Sequence, residues 1–97
     1  MPGMKGPNYA WGRAWIEYKT PTGQGVYCIR NKEGRILYIG KGNLRERLLS
    51  HWYKENAGDA SIWSGGPHSF SYELTDNPKE RERELLRDLK PALQFAA

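Results

Sequence analysis

The chain contains one cysteine, Cys28, in 97 residues. It can form neither an intramolecular disulfide nor a Cys-rich zinc site, and a reducing compartment is expected. Long apolar runs are also missing: hydrophobic residues make up 38% of the chain, and no stretch approaches the roughly 18 residues of a membrane span. Met1–Ala10 holds Gly, Pro and a single Lys but no apolar segment of the signal-peptide kind, so a cytoplasmic protein with no membrane partner is expected. There is no GxxxxGK[ST], no HExxH and no paired Cys motif, which leaves nucleoside-triphosphate hydrolysis and zinc chemistry unsupported. No internal repeat or low-complexity tract is present. The expectation is a single small domain, burying roughly 60 to 65% of the surface its unfolded chain would expose.

Basic residues are in mild excess, 15 Lys and Arg against 11 Asp and Glu. Nucleic acid is therefore the first candidate partner. Four Trp, six Tyr and two Phe are more large rings than so small a centre needs, so some are expected to face a ligand. Residues 1–24 read as an extension whose first eight residues are punctuated by Gly and Pro. Within it Trp11, Trp15 and Tyr18 follow helical spacing, with Arg13 and Lys19 interleaved. Such an arm either packs over the core or stacks on nucleic-acid bases.

Residues 25–40 form two β-branched and aromatic runs around Asn31-Lys32-Glu33-Gly34, the pattern of a β-hairpin. A symmetric loop sets Tyr27 opposite Tyr38. A three-residue loop with Gly34 left-handed shifts the pairing by one and sets Leu37 or Ile39 beside Tyr27. Asn43 followed by Glu46 is a capping box, opening a helix to about Lys54 with Leu44, Leu48 and Trp52 as its apolar stripe and Arg47 and His51 beside it. Residues 56–67 read as a loop. His68, Phe70, Tyr72 and Leu74 then alternate with polar residues as a strand of the same sheet. Asn77, Pro78 and Glu80 start a last helix that Pro91 ends. Its stripe is Leu85, Leu86, Leu89 and Leu93, and Glu82 points along the centre of that stripe, while Glu80, Arg83, Glu84 and Arg87 form a solvated face.

A carboxylate within an apolar stripe requires a cation, a metal or a shifted pKa. Glu82 is thus either half of a structural salt bridge, with Arg47 or another base, or a metal-binding or catalytic group. Cys28 alternates with Tyr27 and reads as core. Lys41-Gly42, directly before a helix N-terminus, is placed to meet a phosphate.

Gly25-Val26-Tyr27 and, ten residues on, Tyr38-Ile39-Gly40 resemble the two halves of the GIY-YIG nuclease signature. The segment Leu44-Arg45-Glu46-Arg47-Leu48-Leu49-Ser50-His51 resembles that family's first helix, with Arg47 at the place of its arginine, and Glu82 matches its metal-binding glutamate. The resemblance spans residues 25–94. It implies an α/β domain of the α+β type, with a three-stranded antiparallel sheet flanked by helices, that cleaves phosphodiester bonds with one Mg²⁺ or Mn²⁺. In that scheme Glu82 holds the metal, Tyr27 is the general base toward water or relays its proton, Tyr38 positions water and phosphate, and Arg47 neutralises developing charge. Lys41 and His51 help, Gly25 and Gly40 support the site, and nearby cations favour the Tyr27 phenolate. Two departures stand out: Gln94 where the family carries Asn, and a shorter link from Gly40 to Leu44. Trp11, Arg13, Trp15, Lys19 and Arg45 are the candidate nucleic-acid contacts. A noncatalytic nucleic-acid-binding module with the same fold is the alternative, and a protein-interaction domain is a third reading. Structure-selective action, a homodimer or a protein partner is expected to supply specificity.

Overall fold

The computed structural model describes residue 4 and residues 6–92. In chain order the elements are β1 (Tyr9–Ala10), α1 (Arg13–Lys19), β2 (Gln24–Asn31), β3 (Ile36–Asn43), α2 (Leu44–Trp52), α3 (Asp59–Ser64), β4 (Pro67–Leu74) and α4 (Pro78–Leu89). The strands form one antiparallel sheet in the order β1-β4-β2-β3. The architecture is the expected one with a correction: the sheet has four strands rather than three, because Tyr9 and Ala10 pair with Phe70 and Ser69 of β4.

The alternation of β2 divides the core into two layers. Tyr27 and Ile29 face α1, α2 and α3 and pack with Ile16, Leu44, Leu48, Ile62 and Phe70. Val26 and Cys28 face the other way, against Ile39 and Leu85 of α4. Cys28 is core, as expected, with its thiol 3.0 Å from Ser71 Oγ. Each fully buried Leu, Ile or Phe contributes about 1.5–3 kcal/mol of burial energy.

The hairpin follows neither anticipated register. Its three-residue loop is present, with Asn31 N–H donating to Arg35 O and Gly34 at a φ of 86°. A bulge at Leu37 then adds a second shift, since Ile29 pairs with Tyr38 while Arg30 pairs with Ile36. The two shifts together set Tyr27 opposite Gly40. Gly40 offers the only side-chain size that fits there: a Cβ would overlap Oη and Cζ of the Tyr27 ring.

Asn43 caps α2, its Oδ1 accepting from Glu46 N–H, as the capping box requires. Residues 56–67, expected as a loop, contain α3, a six-residue helix hidden between Gly58 and Gly65. In the N-terminal segment the expected face of Trp11, Trp15 and Tyr18 does not form. The helix begins only at Arg13, Ile16 is its buried residue, and Tyr18 is 83% exposed.

Candidate active site

Tyr27 comes from the central strand β2, Tyr38 from the edge strand β3, and Arg47 and His51 from successive turns of α2. The three rings form a cluster. The Tyr27 and Tyr38 centroids lie 6.3 Å apart, and His51 lies 5.5 Å from Tyr27 and 5.0 Å from Tyr38. Tyr27 Oη is 2.5 Å from His51 Nε2. His51 Nδ1 is 2.6 Å from Asp59 Oδ1. All three residues are closed off from solvent, at 0, 2 and 1% exposure.

Burial decides the protonation of His51 and Tyr27. It pushes the His51 pKa below its usual value, against the pull of the Asp59 carboxylate, so the ring is neutral at pH 7 and its contact with Asp59 is a hydrogen bond rather than an ion pair. Burial likewise pushes the Tyr27 phenol up, and Tyr38 adds to the effect, while the Arg47 guanidinium pulls it down. Burial wins. The expectation that neighbouring cations favour a free phenolate is therefore corrected: a dry site disfavours the charged form more than Arg47 supports it, and Lys41 is engaged elsewhere.

Its partner is Glu82. Lys41 Nζ lies 3.0 Å from Glu82 Oε1, with side-chain exposures of 43% and 17%. Glu82 thus meets a base, as the stripe demanded, but the base is Lys41 rather than Arg47. Glu82 also enters from α4, across the sheet from the tyrosines. Tyr38 and Gly40 of β3 face α2 while Ile39 and Lys41 face α4, so the acid reaches the site around the edge strand. It is near enough for its charge to act on the Tyr27 phenol.

Glu82 suits a hard divalent cation. Mg²⁺ binds through one or two carboxylates and completes its shell with waters and phosphate oxygens. Among the described residues no three His, Cys, Asp or Glu gather into a closed cage. Arg47 is held by its Nη1–H donating to Asn56 Oδ1 at 3.3 Å, beside Gly42. Gly25 pairs with Gly42 and backs onto the Glu73 carbonyl, where a Cβ has no room. Gln94 lies outside the described residues.

This architecture has close structural counterparts. The GIY-YIG N-terminal endonuclease domain of UvrC from Thermotoga maritima, in a point-mutant form bound to its catalytic divalent cation, superposes with a TM-score of 0.70 at 26% identity, over 87% of this chain and 94% of that one. The chain carries a GIY-YIG nuclease domain. The same Thermotoga maritima domain bound to magnesium gives a TM-score of 0.69 at 26% identity, over 86% of this chain and 94% of that one. In sequence, UvrABC system protein C of Gloeobacter violaceus is 38% identical over 77 residues, and that of Koribacter versatilis 37% identical over 78, each over 73% of this chain. The chain spans 12% and 13% of the length of those two relatives. No family model matches.

Asp59 and Asn56 lie in the segment whose glycines and proline mark it as a loop. Asn56-x-x-Asp59 has the spacing of a capping box, and Asp59 Oδ2 does accept Asn56 N–H at 2.8 Å. That spacing was the available signal. Among the candidate nucleic-acid contacts, Trp11 is half-buried, its ring packed on Trp52, Trp63 and Phe70 at 5.6–6.3 Å. Arg13 pairs with Glu17 at 3.0 Å, and Arg45 Nε–H donates to Thr20 O at 2.8 Å, tying α2 to the end of α1. Trp15 is 46% exposed, with the Lys19 ammonium 6.0 Å from its centroid. The packing arm is the reading that Trp11 and Ile16 support.

Proposed function

We propose that this GIY-YIG domain is a divalent-cation-dependent endonuclease that hydrolyses phosphodiester bonds, with DNA as its substrate. The observation that carries the reading is the buried Tyr27–His51 pair beside Arg47, on a fold whose Thermotoga maritima counterpart is an endonuclease domain bound to magnesium.

The buried phenol is a poor base taken alone. With neutral His51 at 2.5 Å, Tyr27 accepts a proton from water while its own proton passes to Nε2, and no free phenolate need form. The hydroxide so made attacks phosphorus, the leaving oxygen departs and takes a proton from solvent, and His51 returns its proton through Tyr27. Arg47 faces the charge that grows on the phosphoryl oxygens. Tyr38, on the α2 face of the edge strand beside Tyr27 and His51, orients the water and the phosphate. Bound at Glu82, a divalent cation supplies Lewis-acid stabilisation of the phosphate and its leaving oxygen.

These groups address phosphate rather than base edges. Selectivity is therefore assigned to substrate shape, to a second copy of the chain or to a partner chain. Among the described residues no helix is long and apolar enough to cross a membrane, and a cytoplasmic setting goes with the DNA substrate. The deciding experiment is cleavage of single-stranded, double-stranded and branched DNA, and of RNA, with Mg²⁺ or Mn²⁺. Metal-dependent nicking by the wild type, lost in Glu82→Ala, is expected. Identical behaviour of the two across the panel would refute it.

A further inference from the structure

Asp59 is a carboxylate buried to 1% exposure, and every contact it makes leads toward the site. Its Oδ2 accepts the backbone N–H of Asn56 at 2.8 Å and the Asn56 side-chain amide at 2.9 Å. Its Oδ1 is left for His51 Nδ1 at 2.6 Å. Asn56 is held in turn by Ser50 Oγ at 3.0 Å and receives Arg47 Nη1–H at 3.3 Å. A hydrogen-bonded chain thus runs from Arg47 through Asn56 and Asp59 to His51 and Tyr27. A neutral imidazole has one N–H and one lone pair, and the partner of one nitrogen sets the role of the other. A carboxylate accepts only, so it requires Nδ1–H, which turns the Nε2 lone pair toward the Tyr27 hydroxyl.

We propose that Asp59 is a positioning residue of the nuclease site, fixing His51 as the Nδ1-protonated tautomer so that Nε2 can receive the Tyr27 proton. It also stabilises the imidazolium formed during that transfer, opposing the Arg47 charge that disfavours it. The groups around the ring are Arg47 on its own helix, Tyr27 from β2, Tyr38 from β3, and Asp59 and Asn56 from the α3 end, with Glu82 of α4 acting on Tyr27. A merely structural Asp59, capping the turn into α3, would hold the same tautomer and contribute nothing to kcat, so the kinetic arm of the test separates the two roles. The kinetic part of the proposal rests on the endonuclease reading. The tautomer does not.

The test uses the full chain and Asp59→Asn, which keeps an oxygen for the Asn56 amides and presents an N–H to His51. Ring-nitrogen NMR of the wild type at pH 7 should show His51 protonated at Nδ1 alone, and Asp59→Asn should move the proton to Nε2. With DNA, kcat should fall on the order of 100-fold or more, with KM and Mn²⁺ affinity within about threefold of wild type, since Asp59→Asn leaves the Arg47 and Glu82 side chains in place and a threefold change is only ~0.6 kcal/mol. A wild-type ring protonated at Nε2, or at both nitrogens, overturns the proposal even if the variant does not fold. So does a folded variant with unchanged kcat. A wild type that cleaves nothing refutes the endonuclease reading instead and leaves the NMR test standing.

Discussion

Gly40→Ala tests whether the second register shift of the hairpin exists to seat the Tyr27 ring. The added methyl would lie 2.9 Å from Tyr27 Cε2 and nearer still to Cζ and Oη, whereas ordinary contacts fall at 3.4–4 Å. The ring cannot yield outward, because it is fully buried. Overpacking of this kind costs about 1–3 kcal/mol. At roughly 4–8 °C per kcal/mol for a domain of this size, the melting temperature should fall by about 4–24 °C. The effect on activity should be greater. Tyr27 Oη and His51 Nε2 are 2.5 Å apart, and a displacement of about 1 Å takes them beyond hydrogen-bonding distance, so kcat should fall with stability. Gly34→Ala is the control. Its φ of 86° makes alanine unfavourable by about 1–2 kcal/mol, but nothing lies within 4 Å, so stability should drop while kcat holds. Calorimetry with nicking kinetics reads both. A Gly40→Ala protein that melts with the wild type and keeps its kcat would refute the reasoning, as would equal kinetic losses in the two variants.

Tyr27→Phe removes the proton-transferring oxygen and should cost on the order of 10²–10⁴ in kcat, with DNA affinity nearly unchanged in a binding titration. Lys41→Met frees Glu82 from a partly exposed ion pair worth about 0.2–1 kcal/mol, so Mn²⁺ should bind roughly 1.4- to fivefold tighter by calorimetry; weaker binding would show that Lys41 organises the metal site. His51 is neutral in the fold, its pKa below the usual 6.5, while the unfolded chain binds the proton more readily. The sign follows: its contribution is fully present above about pH 6.5 and is lost as pH falls toward the lower folded value. In His51→Gln the loss of stability between pH 7 and 5 in urea titrations should be shallower. Trp11→Ala should cost about 3–5 kcal/mol because its ring locks Trp52, Trp63 and Phe70 together, whereas Tyr18→Ala, on an open face, should melt within a few degrees of wild type.

What could be read in the sequence is what carries a period or a cap. The hairpin, α2 behind Asn43, the alternating β4 and α4 behind Pro78 all declare themselves, and the two tyrosines, Arg47 and Glu82 fall into place with them. The bulge at Leu37 does not, because nothing in a Leu beside Ile and Tyr distinguishes the extra residue from its neighbours. Nor does β1: two residues are too short for alternation, and their pairing with β4 depends on the fold already being there. α3 is masked by Gly58, Gly65, Gly66 and Pro67, so the residue that orients His51 sits where the chain reads as a loop. The match of Lys41 to Glu82 is a tertiary accident of two faces meeting around one edge, visible only in three dimensions.

That edge has an evolutionary consequence. In the proposed scheme proton handling lies on the α2 side of the sheet and metal capture on the α4 side, and Lys41 of the edge strand meets Glu82 between them. Changes in α4 can retune the choice and affinity of the ion while reaching the dry relay through the charge of Glu82, and changes in α2 or α3 can retune the base while the carboxylate stays on its own helix. The reaction's two halves are thus separately heritable, and a descendant that loses one keeps a stable scaffold on which to regain it.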